Sequence, residues 1–302
     1  MTTVSCHNSH FTLQKYAETQ LKSLDNLGWK PDNVVEKAHY LIAQSKWDEL
    51  LRLGEPAIRP LIQALNYEYF FDGRQRVVET LGKIRDPLAT EALIQTLGDQ
   101  ELLVRYEAAE ALGKIREDRA LDPLINALQD NEYLVRKSVA TSLGRLGFPK
   151  AIEPLEQALK DLSSGVRREA AGSLDKLGWT PKNDTERAYY LIALERWREV
   201  DKLGEPAIRP LIYTLRGFDE SIQDRATSAL ARIAGEIGES AISLLIEALK
   251  DEASHVRSQI SLALGKIGKS AVPLLMRAQK DDDLNVRSGA KNALGIIDYS
   301  ES

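Results

Sequence analysis

The residues best suited to chemistry are few and scattered. The chain has four histidines, His7, His10, His39 and His255, and one cysteine, Cys6. Cys6, His7 and His10 fall within "CHNSH", where a thiolate and two imidazoles would suit a transition-metal ion. No fourth ligand follows nearby, so a frayed terminal segment is expected there, with neither metal nor cofactor. Gly-rich phosphate loops, Ser/His/Asp sets and paired Cys-x-x-Cys motifs are absent from the sequence. More regular is an acid six positions before an arginine, at Asp99/Arg105, Asp130/Arg136, Asp161/Arg167, Asp251/Arg257 and Asp281/Arg287. Such arginines could bind anions. Their recurrence at one spacing fits a stacking ladder better, in which the Asp accepts backbone N–H groups at a helix start and the planar guanidinium bridges to the next unit. Glu68 precedes Arg74, and Gln223 stands where the fifth arginine would fall, so the ladder is expected to break there.

The elements that must position these residues repeat. Leu81, Leu112, Leu143 and Leu174 are each 31 residues apart, and Leu230, Leu264 and Leu294 continue the series, giving seven units. Val104, Ala108, Leu112 and Ile115 lie on one stripe of a 3.6-residue period, as do Leu121, Leu124, Ile125 and Leu128 one segment later. Each unit therefore reads as a helical hairpin, too small to bury its own apolar face, and stacking of neighbours buries it. The expected fold is all-α, an α-solenoid of about seven hairpins. Gly82, Gly113, Gly144, Gly265 and Gly295 follow the aligned leucines, where close helix approach or the nearby helix end must offset the cost of a helical glycine. Pro60, Pro123, Pro154 and Pro210 sit early in the first helices, where a missing N–H costs least.

A longer duplication overlies the repeat. Residues 23–65 match residues 173–215 at 27 of 43 positions, ending in "LGEPAIRPLI" both times. Each copy inserts a short helical segment between hairpins, and Trp29, Trp47, Trp179 and Trp197, all the tryptophans of the chain, lie in these insertions. Exposed aromatics there would form a binding site; helical spacing between retained Gly and Pro boundaries favours a small aromatic core joining repeats. Asn183 or Asp184 offers an N-cap for the inserted helix. By sequence the chain divides into a cap with the first insertion (1–54), four repeats (55–177), the second insertion (178–204) and three repeats with the C-terminal end (205–302). A helical lead-in from about Phe11 to Leu27 is expected to cap the stack.

The Asp-x5-Arg spacing within "VR-x-x-A-x-x-x-LG-K-I" resembles HEAT repeats, specifically the short HEAT-like repeats of phycobilisome lyase subunits. The resemblance covers roughly residues 55–177 and 205–297 and implies an armadillo-like superhelix. Iron-dependent deoxyhypusine hydroxylases, which share the repeat, carry His-Glu pairs after the ladder arginine. Here those positions hold Tyr106-Glu107, Lys137-Ser138, Arg168-Glu169, Ser258-Gln259 and Ser288-Gly289, without a histidine, so that activity is not expected. HEAT-like DNA glycosylases imply a strongly basic groove, whereas this chain has a formal net charge of −5 and pI ≈ 5.6. Bilin lyases share the repeat and no further motif, which leaves a lyase-like or chromophore-chaperone role as the alternative.

Nothing in the sequence reads as a signal peptide or an 18-residue apolar span, and one cysteine permits no internal disulfide, so a cytoplasmic protein without membrane association is expected. Stacked second helices should line one wall. Its solvent-facing positions are Gln75, Arg76, Glu79, Tyr106, Glu107, Glu110, Lys137, Ser138, Thr141, Arg168 and Glu169, which vary from unit to unit while the frame stays fixed. That contrast predicts a non-enzymatic scaffold binding a protein partner on a concave face, with little affinity for nucleic acid.

Overall fold

The computed structural model describes residues 30–66, 71–251 and 253–301. Cys6, His7, His10, the lead-in helix, Trp29 and Glu68 lie outside the described residues. The chain packs as two compact units, Met1–Ala151 and Ile152–Ser302.

In the first unit, α1 (Val34–Ala43) and α2 (Trp47–Leu53) form the insertion. Three hairpins follow: α3 (Ile58–Leu65) with α4 (Phe71–Ile84), α5 (Thr90–Thr96) with α6 (Leu102–Ile115), and α7 (Leu121–Ala127) with α8 (Tyr133–Leu146). The second unit opens with α9 (Ile152–Ala158) and α10 (Ser164–Lys176). Its insertion is α11 (Asp184–Ala193) with α12 (Trp197–Asp201). Then come α13 (Ile208–Thr214) with α14 (Glu220–Ile237), α15 (Glu239–Glu247) with α16 (Ser254–Ile267), and α17 (Val272–Ala278) with α18 (Leu284–Glu301). Among the described residues that makes seven hairpins and no strand. The fold is an α-solenoid of stacked hairpins.

Six of the seven first helices begin with one 3₁₀ turn, as at Glu55–Ala57 and Glu205–Ala207, each of which carries a proline in its first two positions. The second helices pack side by side, α4 on α6 and α6 on α8 in the first unit, α14 on α16 and α16 on α18 in the second. The aligned leucines form the seam. Leu81, Leu112, Leu143, Leu174, Leu230 and Leu264 are fully buried, each worth about 1.5–3 kcal/mol of apolar transfer. Leu294, in the last helix, is half-buried. Glycine is what allows the helices to come this close: a Cβ built on Gly113 would lie 2.6 Å from Ser142 Cβ, and one on Gly82 would lie 2.7 Å from Ala111 Cβ.

The ladder residues tie the turns together. Asp99, Asp130, Asp161, Asp251 and Asp281 each accept, through Oδ1, the backbone N–H two residues on. Arg105 Nη1 donates back to the Asp99 carbonyl at 2.9 Å, while Nε and Nη2 grip both oxygens of Asp130 at 2.7 and 3.0 Å. Arg74 grips Asp99 the same way at 2.9 and 3.1 Å. Burial raises the Asp130 carboxyl, but the bonds from Arg105 and the Glu132 N–H outweigh it and hold Asp130 below the usual range.

The return bond to the turn is the part of the ladder that the sequence did not predict. Arg136, Arg257 and Arg287, all half-buried, donate through Nη1 to the carbonyls of Asp130, Asp251 and Asp281, each at 2.7 Å. Arg136 also reaches the Asn131 carbonyl at 3.0 Å, and Arg287 the Asp282 carbonyl at 2.8 Å. Each of these three arginines clamps the turn that starts its own helix, as Arg105 does beside its bridge to Asp130. The cause is geometric, because helical side chains lean toward the N-terminus and carry the guanidinium back over that turn. Arg287 belongs to the last hairpin, after which no described hairpin offers an acid to bridge to.

In the fifth hairpin, Gln223 donates to the carbonyls of Leu215 and Gly217 at 3.1 and 2.5 Å. Asp251 is held instead by Arg216, which ends the first helix of that hairpin and reaches Oδ2 at 2.6 and 3.1 Å. The sequence predicted a break; the structure shows a different arginine meeting the following acid.

Candidate partner-binding face

In the first unit the variable positions lie on α4, α6 and α8. Residues one helical turn apart share a face, so Arg76, Glu79 and Lys83 line α4 while Glu107, Glu110 and Lys114 line α6. Glu79 is clamped by Arg76 at 2.8 Å and Lys83 at 2.7 Å. The bond from Lys83 is the main cause of its lowered pKa. Glu110 is held by Lys114 at 2.7 Å and, across the helix gap, by Arg145 of α8 at 2.8 Å. Burial pushes its carboxyl up, yet the two cations prevail and lower it. Glu107 differs. Burial pushes its carboxyl above the usual range, opposed by a long 3.5 Å bond from Gln75 Nε2.

Within the first unit the fold brings Gln75 to Glu107 across two helices, but the sequence did not sort the candidate positions by availability. Arg76 is exposed, and Lys137 is half-buried with no ion-pair partner among the described residues. Tyr106 and Thr141 are half-buried. Ser138 is a correction. It is buried at 4% exposure, with Oγ donating to the Tyr106 carbonyl at 3.2 Å, so it seals the gap between α6 and α8 and faces no solvent. In the second unit, Arg168 of α10 is exposed and pairs with Glu195 of the insertion, and Glu169 is half-buried.

The insertion of the second unit is a packed aromatic joint. Trp179 is buried, its Nε1 donates to Glu156, and its ring lies 5.6 Å from that of Tyr190. Tyr190 donates its hydroxyl to Asp175 at 2.6 Å, and burial together with this bond pushes its pKa up to about 12. Trp197 packs against the apolar core that runs through Val200, Ile208 and Leu230. Among the described residues no three His, Cys, Asp or Glu side chains converge as metal ligands. The surface depressions beside Pro123 and beside Lys280 are shallow. No described helix is long and apolar enough to cross a membrane. The arrangement is suited to surface recognition, through fixed charges on rigid helices.

A family model for HEAT repeats matches residues 58–141, 121–195 and 208–295. The chain belongs to the HEAT-repeat family. The HEAT matches run through α11 and resume at α13, so the interval 196–207 holds α12 and the Gly204 turn, the part of the insertion foreign to the repeat. Similar solved structures include human deoxyhypusine hydroxylase, 21% identical over 86% of this chain and 99% of that one, with a TM-score of 0.37. The complex of CpcE and CpcF of phycocyanin lyase from Nostoc is 24% identical over 71% of this chain and 95% of that one, with a TM-score of 0.30. Importin beta is 15% identical over 94% and 44% of the two chains, with a TM-score of 0.40. No curated protein matches the sequence.

Proposed function

We propose that this HEAT-repeat chain is a non-enzymatic, cytoplasmic scaffold that binds a protein partner on the face of its second helices. The repeats are read as the short type of phycobilisome lyase subunits, on the strength of the Asp-x5-Arg spacing, while the role is read as binding. One observation carries this. The leucine seam, close glycines and acid–arginine bonds recur, whereas the position after the ladder arginine changes from Gln75 to Tyr106 to Lys137 on successive second helices. A rigid frame with a varied charged face gives specificity through charge register.

The face is best tested at residues whose loss leaves the fold intact. Glu110 joins two ion pairs, so its reversal would disturb α6 and α8 together. Arg76, Lys137 and Arg168 are safer. Affinity capture from the native cell should recover a partner with wild-type protein and lose it with the Arg76→Glu/Lys137→Glu variant, at an unchanged unfolding temperature. Equal capture by both proteins would refute the face.

A further inference from the structure

On the second-helix face of the first unit, one carboxylate is left without a cation. Glu79 and Glu110 each hold two, Arg76 with Lys83 and Lys114 with Arg145, at 2.7 to 2.8 Å. Glu107, half-buried on the same face, accepts from Gln75 Nε2 at 3.5 Å, a neutral donor at the limit of hydrogen-bond length. It forms no ion pair among the described residues. Burial, aided by the charges of Glu79 and Glu110, pushes its carboxyl up against the bond from Gln75 and the charge of Lys114.

The stacking register explains why Glu107 goes unmatched. Residues that meet across neighbouring second helices are 32 positions apart: Gln75 with Glu107, Tyr106 with Ser138 and, in the second unit, Thr227 with Gln259. Counting the same way from Glu107 into α8 reaches Val139, which is fully buried. The neighbours that the register supplies are therefore neutral on both sides. Arg76 occupies the matching position of α4, two residues after the ladder arginine, but it turns along its own helix to Glu79 and its side chain is 60% exposed. Lys83 also holds Glu79, so that carboxylate stays neutralised when Arg76 turns outward. The charges open to a partner are thus positive on α4 and negative on α6.

We infer that the partner of this face is a helical protein segment laid across α4 and α6, presenting an arginine to Glu107 and a carboxylate to Arg76. The inference rests on the reading of the second helices as the binding face. A partner that covered Glu107 without a cation would bury an unpaired charge, so the site rejects such partners as well as selecting its own. Arginine suits it best, because a planar guanidinium reaches both carboxylate oxygens. Neighbouring helices pack roughly 8–10 Å apart, and residues seven apart on a helix are separated by about 10 Å, so one segment spans both charges. A carboxylate that costs the isolated chain stability is the kind of local inconsistency that a binding role accounts for. Phosphates would leave Glu107 uncompensated, which favours a protein over a nucleic acid.

The test is fluorescence anisotropy of the full chain with three labelled alanine-rich helical peptides. The first carries Glu and Arg seven residues apart, the second Gln in place of the Arg, the third Glu in place of the Arg. The first should bind saturably and the second roughly tenfold more weakly. Glu107→Gln should remove that difference, with an unfolding temperature no lower than wild type. Glu107→Lys should prefer the third peptide to the first, a reversal that a merely structural role for Glu107 would not produce. Arg59→Glu, at an exposed position of the first helix α3, should change nothing. Absence of saturable binding, equal affinity for the first two peptides, or indifference to Glu107→Gln would each overturn the inference. Capture of the native partner separates the two readings. Loss with Arg76→Glu/Lys137→Glu but not with Glu107→Gln would overturn the arginine contact and leave the face standing, whereas loss with neither would overturn both.

Discussion

The two copies of the inserted joint share a backbone and differ in what they display. Gly54 and Gly204 adopt φ/ψ of 68°/−133° and 67°/−134°, and Ser45 and Glu195 take φ of 55° and 56°. Asn33 and Asn183 both cap their helices by accepting the N–H of Glu36 and Glu186, whose carboxylates return bonds to the caps. Duplication thus preserved the turn geometry and capping that set the chain's path. The side chains on that path diverged, with His39, Gln63 and Asn66 in one copy and the Tyr189–Tyr213–Arg216 row in the other. The comparison separates what a solenoid needs for stacking from what it is free to present.

The largest expected effect sets one ladder arginine against another. Arg105→Met leaves Asp130 half-buried and without its cation, at a cost of about 3 kcal/mol. Arg167→Met removes a buried guanidinium that grips no carboxylate and should cost clearly less. Both lose their bonds to turn carbonyls, so the difference in urea unfolding reports the carboxylate grip alone. Equal losses would deny that Arg167 lacks a carboxylate partner. Next, Gly54→Ala and Gly204→Ala force a Cβ into a backbone region that L-residues avoid, and each should cost about 2 kcal/mol. Unequal costs would show that the shared geometry is not equally required.

Smaller effects sharpen the chemistry. Tyr190→Phe should cost about 1 kcal/mol through the lost bond to Asp175. Because the folded pKa of about 12 exceeds the ordinary value of 10.0, the wild type should lose stability as pH rises through that interval, and the variant should lack this loss. The smallest is Glu107→Gln. A carboxyl raised above 4.5 by burial destabilises the fold once both states are ionised, and this cost disappears below the unfolded value. The variant should therefore gain less than about 1 kcal/mol at neutral pH, with the gain vanishing near pH 4. A pH-independent gain would point to packing rather than charge.

Periodicity in the sequence was enough to place the hairpins, the leucine seam and the close glycines Gly82, Gly113 and Gly265, because a 3.6-residue period and a 31-residue repeat both follow from stacking; Gly295, in the last helix, meets no neighbour within 4 Å. It also placed Gly and Pro at the ends of the inserted helices. Side-chain reach was not legible. The Asp-x5-Arg spacing marked Arg136, Arg257 and Arg287, but not that each would turn back onto the carbonyl of its own aspartate. Arg216 meets Asp251 from the end of a different helix, and no spacing rule for the second helices would select it. Ser138 shares a helix face with Thr141, but the tight approach that Gly113 allows between α6 and α8 draws it under the Tyr106 carbonyl. Rotamer direction and the proximity of neighbouring helices decided these outcomes, and both depend on packing rather than on the residue's own position in the pattern.

The central claim is that the repeating frame holds the fold while the second-helix face binds. Amide hydrogen exchange on the full chain with its captured partner tests this most directly. The account predicts new protection on α4, α6 and α8, with the first helices α3, α5 and α7 unchanged. Protection confined to those first helices would contradict it.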